Sequence, residues 1–292
     1  MPNYDDLLEP QEPQEAQTAP EQPFDKDAWA AQKKEQREGL YALADQTAMD
    51  MAADPARFMQ YLDVQAQFDR YSATNALLIL AQRPDATRIG DLDYWKQQRI
   101  FIKRDEMPNT FAILAPGKEY LRDDGTVGTN MTVKRMYDVS QAERPRLQPV
   151  PKYGDEALVR AVVRAAAMPV ELVDQLDDGK DADFWPADEK IFMRRGMDAP
   201  DIVRAVARES CLAYGGDIEL TFDARAGAYL VCKRFGVDVQ PLDLSGVKER
   251  FGGMDDPKLV RATLSGIRNA AAEMIKIMAK ELEPPTRKPE AR

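Results

Sequence analysis

The chain has 292 residues, two cysteines, no histidine and a formal net charge of −10. Its 44% hydrophobic content suffices for buried cores, yet no apolar run approaches the roughly 20 residues of a membrane-spanning helix. Lack of histidine removes the commonest metal ligand and general base, and two cysteines exclude a disulfide framework.

Residues 1–26 hold seven acidic side chains against the single base Lys26, together with five prolines. This composition predicts a disordered acidic leader with neither the basic segment nor the apolar core of a signal peptide, so the expectation is a cytoplasmic protein. From Asp27 to about Met51 the pattern suits a helix, which Asp54-Pro55 interrupts to start another carrying Phe58, Tyr61, Leu62 and Val64 as a buried stripe. "SATNALLILAQ", 72–82, predicts a third helix capped by Ser72, and Asp91 caps a short one through "LDYWKQQR". The period then changes. "IFIKR", "TFAILAP" and "MTVKRMYDV" are β-type runs separated by "DEMPN" and the turn-like "RDDGTVGTN".

A proline-rich linker is expected at 143–154, dividing a domain at 27–142 from one at 155–283, with a frayed tail at 284–292. In the second domain "DEALVRAVVRAAA" reads as a helix, "MPVELV" and "KIFMRR" as strands, and "DDGKDADFWPADE" as a polar loop. Helices follow near 201–216, 221–235 and 256–283. The last is predicted to bury Leu259, Leu264, Ile267, Ala271, Met274, Ile275 and Met278. The fold class is α+β: N-terminal helices with a small antiparallel sheet, then a helical domain with a second small sheet.

Within "DIVRAVARESCLAYGG" the run Arg208-Glu209-Ser210-Cys211-Leu212 has the spacing of a helical HExxH zinc site, in which residues i and i+4 share one face. Arginine is always cationic and leucine has no donor atom, so neither binds zinc. "DEKIFMRRGMDAPDIVRAVARESCLA" resembles the strand, turn and active helix of the ImmA/IrrE-type zincin metallopeptidases. On that resemblance Arg208 and Leu212 replace the two histidines, and the third ligand falls on Asp223 in "DARAGAYLVCKRFG". The implied domain is a zincin-like pseudo-metallopeptidase with no catalytic residue, no metal and no cofactor. Cys232, in the apolar run "AYLVC", reads as a small core residue, and Cys211 has no histidine to activate it. Arg208 is expected to pair with Asp223 or Glu209.

Residues 57–150 carry 14 Lys/Arg against 12 Asp/Glu, so the whole-chain charge misdescribes this part. Tyr71, Tyr94 and Trp95 are candidates for stacking on bases. Arg70, Lys96, Arg99, Lys103, Arg104, Lys134 and Arg135 are candidates for phosphate contacts, and Asn75, a polar residue in an otherwise apolar helix, is a further candidate DNA contact. "FDRYSATNALLILAQRPDATRIGDLDYWKQQRIFIKRDE" and "VKRMYDVSQ" resemble the single-stranded-DNA-binding domain of the ArdC antirestriction family, with "KRDEMP" replacing a glycine- and lysine-rich turn. The resemblance implies a mobile-element protein that binds single-stranded DNA without sequence preference, and a host restriction or conjugation protein as a further partner. An alternative expectation is a protein–protein adaptor without DNA binding, favoured by the net charge and the acidic leader.

Overall fold

Helix boundaries follow local capping chemistry. A computed structural model describes residues 25–122, 124–145, 151–216, 219–239 and 242–283. Most of the acidic leader, part of the linker and the C-terminal tail read from the sequence lie outside the described residues. The Asp25 carboxylate accepts the Asp27 and Ala28 amides to open α1, Lys26–Ala53. Asp54 accepts the Ala56 amide and, with Pro55 in the first turn, opens α2, Pro55–Gln67. Ser72 caps α3, Ala73–Gln82, and Asp91 caps α4, Leu92–Gln97. Each cap satisfies an amide that has no partner within its own helix.

β1 (Ile89–Gly90), β2 (Phe111–Leu121) and β3 (Val127–Asp138) form an antiparallel sheet in the order β1-β3-β2. The β2–β3 hairpin is longer than its sequence suggests: Val127 to Asn130, turn-like by composition, belong to β3. "IFIKR", a strand by its pattern, joins no ladder. Ile102 makes a single antiparallel bridge with Ala142, and the chain then tightens into a 3-10 turn at Arg104–Glu106. Its alternation survives, with Ile100 turned into a small cluster around Trp95 and Phe101 turned outward.

The second stretch runs α5 (Asp155–Arg164), β4 (Val170–Val173), β5 (Ala182–Trp185), β6 (Lys190–Arg194), α6 (Ala199–Gly215), α7 (Thr221–Phe235), α8 (Ser245–Phe251) and α9 (Pro257–Glu281). β6 is central, parallel to β4 and antiparallel to β5. β5 and α8 are too short for a periodic signal, and β5 lies inside the segment expected to be a polar loop. α6 and α7 end on Gly216 and Gly236 at φ 71° and 69°, a left-handed conformation that glycine adopts without steric penalty. On α9 the buried stripe begins at Val260 rather than Leu259, which is 56% exposed. The series 260, 264, 267, 271, 274, 278 follows three- and four-residue steps, and residue 259 lies about 100° around the helix.

Helices of the two stretches share one apolar core. Phe58 of α2 lies 5.4 Å from Phe222 and 5.8 Å from Phe251 between ring centroids. Arg261 of α9 pairs with Asp45 of α1 at 2.7 Å and lies over the Tyr41 ring. Polar pairs frame this contact: the Tyr229 hydroxyl donates to Asp63 at 2.7 Å, and Lys233 reaches the same carboxylate at 2.9 Å.

The outer edge of β2 is closed by side chains instead of a strand. Asn75 donates to the Leu114 carbonyl at 2.8 Å, and its carbonyl oxygen accepts the Leu114 amide at 2.9 Å. Two turns on, Gln82 makes the same reciprocal pair with Ala112, 2.9 Å each way. The alternate residues 112 and 114 point their amides away from β3, and a helix presenting side-chain amides at i and i+7 satisfies both.

Candidate nucleic-acid interface and the Arg208–Glu209 pair

On α6, Glu209 is 4% exposed and its two oxygens are both engaged. One accepts the Phe184 amide of β5 at 3.1 Å, and the other accepts Arg208 Nε at 2.6 Å. Arg208 also donates to the Ala182 carbonyl at 3.0 Å. The guanidinium thus ties α6 to β5 and neutralises a carboxylate with almost no access to water. Asp223 takes no part: Arg250 of α8 donates to it twice, at 2.8 Å each. Of the two partners expected for Arg208, the geometry selects Glu209. Leu212 packs on the core.

These residues do not fit a catalytic metal. Of the three positions that the resemblance assigns to ligands, Arg208 is a hydrogen-bonded cation, Leu212 a hydrocarbon, and Asp223 a carboxylate held in a two-pronged ion pair. Among the described residues no group of three or more metal-donor side chains comes together. The thiols offer no substitute. Burial pushes Cys211 well above the ordinary thiol range and Cys232 up to about 12, so both stay protonated. Cys211 instead faces Gly227, where an added Cβ would lie 2.8 Å from its sulfur, so α6 and α7 meet over a glycine.

The predicted DNA contacts divide into three groups. Trp95 is 1% exposed and its indole N–H donates to the Tyr137 carbonyl at 3.3 Å. A ring so covered has no face for a base, which corrects its assignment as a stacking platform. Asn75 is 7% exposed, with its amide consumed by Leu114, so it is a strand-edge residue and not a DNA contact. Lys96 and Lys134 are exposed but already ion-paired, to Asp93 at 3.7 Å and to Asp91 at 2.6 Å.

The remaining cations are differently placed. Among the described residues no carboxylate lies within ion-pair distance of Arg70, Arg99, Lys103, Arg104 or Arg135, although Arg135 donates to the Thr110 hydroxyl at 3.0 Å. Arg99, Lys103 and Arg104 flank Phe101, which is 64% exposed. Sequence reasoning misses Phe101; the alternation of "RIFIKR" against a buried Trp95 is the signal that could find it. Arg99 holds φ 55°, a left-handed value unusual for a residue with a side chain, and its amide donates to the Lys96 carbonyl just past the end of α4. Glycine would hold that backbone without strain, so the position carries a cationic side chain at a conformational cost.

The segment after Phe101 is held firmly. The Lys103 amide donates to the Gln141 carbonyl, and the Gln141 side chain donates to Glu106 at 2.9 Å and to the Asn109 carbonyl at 2.8 Å. The Tyr137 hydroxyl donates to the Met107 carbonyl at 2.8 Å. Hydrogen bonds from Gln141 and Asn109 keep the Glu106 carboxyl below its ordinary range. Behind them, Asp138 is buried, which pushes its carboxyl upward, but bonds from Ser140 and from the Arg88 and Thr87 amides outweigh burial and hold it low. "KRDEMP" is therefore a rigid turn that presents Lys103 and Arg104 from a fixed base.

No protein-family model matches the chain, and no curated protein matches it by sequence. Among solved structures, the fold is similar to that of the antirestriction protein ArdC from plasmid R388. The Mn(II)-bound form aligns with a TM-score of 0.50 at 14% identity, over 72% of this chain and 85% of that one. The metal-free form aligns at 0.49 and 15% identity, over 72% and 86%.

Proposed function

We propose that this protein binds single-stranded DNA without sequence preference, in an antirestriction role on a mobile element, and that its peptidase-like half is catalytically silent. The observation that carries the reading is the exposed Phe101 flanked in sequence by Arg99, Lys103 and Arg104, which form no ion pair with a described carboxylate. An aromatic face is a platform for any base, and unpaired cations beside it attract the backbone. The similarity of fold to a plasmid antirestriction protein supports the biological setting, with a host restriction or conjugation protein as a further partner. The Arg208–Glu209 pair supports the silent half, since it occupies with a fixed cation the place where a metal-dependent peptidase needs a Lewis acid.

The test is a fluorescence-anisotropy titration of a labelled single strand with wild type, Phe101→Ala and the double variant Lys103→Ala/Arg104→Ala. Phe101→Ala is expected to weaken binding by about 1–3 kcal/mol, and the double variant to flatten the salt dependence by roughly one phosphate contact or more. Affinity unchanged from wild type in both variants would remove the interface from this surface.

A further inference from the structure

A second surface lies apart from Phe101. Between the α2–α4 region and α7 runs a groove of about 700 Å³, lined by Tyr71, Tyr94 and Arg88 on one side and by Lys233 and Arg234 on the other. Its volume falls in the range of roughly 300–1,000 Å³ typical of small-molecule sites. The acidic groups in its wall are already engaged: Asp63 with Lys233 at 2.9 Å, and Asp69 with Arg234 at 3.4 Å. Of the groove's cations Lys233 and Arg234 are held in these pairs, whereas among the described residues no carboxylate lies within ion-pair distance of Arg88.

Arg88 is fixed without being neutralised. Its Nε and Nη2 donate to the Tyr94 hydroxyl at 3.1 and 2.8 Å, and Nη2 also reaches the Gln98 side-chain carbonyl at 3.3 Å. The guanidinium carbon lies 5.5 Å from the Tyr94 ring centroid and 5.2 Å from that of Trp95. Its backbone amide donates to Asp138, and its carbonyl accepts the Val139 amide. A guanidinium ordered by neutral partners keeps its full charge and loses little entropy when it meets an anion. The Tyr94 oxygen accepts two bonds, so its own proton is directed elsewhere.

Tyr71 completes the seat. Its ring stands edge-on to Phe68, with centroids 6.0 Å apart, and no described residue hydrogen-bonds its hydroxyl. Burial pushes that hydroxyl above the ordinary tyrosine range, so it remains a donor at neutral pH. We infer that this groove seats one nucleotide of the bound single strand, its base against Tyr71 and its phosphate on Arg88. The inference rests on the DNA-binding reading. It adds that α7, from the peptidase-like stretch, forms one wall of the DNA site.

The experiment uses the full chain with two ligands of equal length, an oligothymidylate and its abasic deoxyribose-phosphate counterpart, and thermal melts to verify folding. Tyr71→Leu keeps apolar volume but removes the aromatic face. It is expected to weaken oligothymidylate binding by about five- to 150-fold and to leave abasic binding unchanged. Arg88→Gln is expected to lower the slope of log affinity against log salt by about 0.7 on both ligands, and Arg88→Lys to restore it. If wild type binds, Phe101→Ala weakens it and both groove variants match wild type, the groove assignment is overturned while the DNA reading stands. If wild type binds neither ligand, the DNA reading itself falls and the groove with it.

Discussion

Replacing Asn75 with leucine should destabilise the fold without touching DNA affinity. The change removes two hydrogen bonds, at 2.8 and 2.9 Å, and leaves the Leu114 amide and carbonyl facing a hydrocarbon. Leu114 is buried, so water cannot replace the lost partner. Each lost bond is worth about 1 kcal/mol net, and each stranded buried group costs roughly 1–3 kcal/mol, although the two terms overlap. The expected loss is about 2–5 kcal/mol, or about 3–8 °C in melting temperature for a chain of this size. Urea denaturation followed by circular dichroism measures it. Gln82→Leu should cost less, since Ala112 is only half-buried. A folded Asn75→Leu variant within about 0.5 kcal/mol of wild type, but defective in DNA binding, would refute the edge-closing role and return Asn75 to the interface.

Other consequences follow from the same geometry. Arg99→Gly relieves a left-handed backbone while deleting an unpaired cation, so it should melt no lower than wild type and yet bind single-stranded DNA more weakly; parallel loss of both would contradict the reading. Asp138 has a depressed carboxyl pKa, so its contribution is present above the unfolded value near 3.9 and is lost as pH falls through the lower folded value. Melting curves should therefore show wild type ahead of Asp138→Asn above about pH 5, with the gap closing below about pH 4, and a gap that widens on acidification would be the wrong sign. Adding Mn(II) or a chelator should leave the melting temperature unchanged. Arg208→Met should destabilise the fold by about 1–3 kcal/mol, through the stranded Glu209 carboxylate, and an Mn(II)-dependent rise in the wild-type melting temperature would overturn the account of α6.

Features set by near neighbours in the chain are legible in the sequence. Ser72, Asp91 and Gly236 mark helix ends because a cap acts within one turn. That Arg208 and Leu212 cannot ligate zinc is equally plain, because donor capacity belongs to the residue type. Features set by distant contacts are not. Trp95 and Phe101 are both aromatic residues in a charged segment, and only the packing of Ile100, Tyr137 and Val139 around the first decides which one faces solvent. Asn75 has the look of a free polar group because its partner lies 39 residues away. Asp223 invites pairing with α6, but α8, which engages it through Arg250, is too short to leave a periodic trace. Arg88 stands in "TRIG", a stretch with no periodic signal, and its setting comes from Tyr94, Trp95 and Gln98, which the fold brings around its guanidinium.

The most direct test is a titration of the wild-type chain against a labelled oligothymidylate of about thirty nucleotides and a duplex of matching length, across a range of salt. The account predicts tighter binding to the single strand, with affinity falling linearly in log salt. Equal affinity for the duplex, or no binding at low salt by a folded chain, would contradict it.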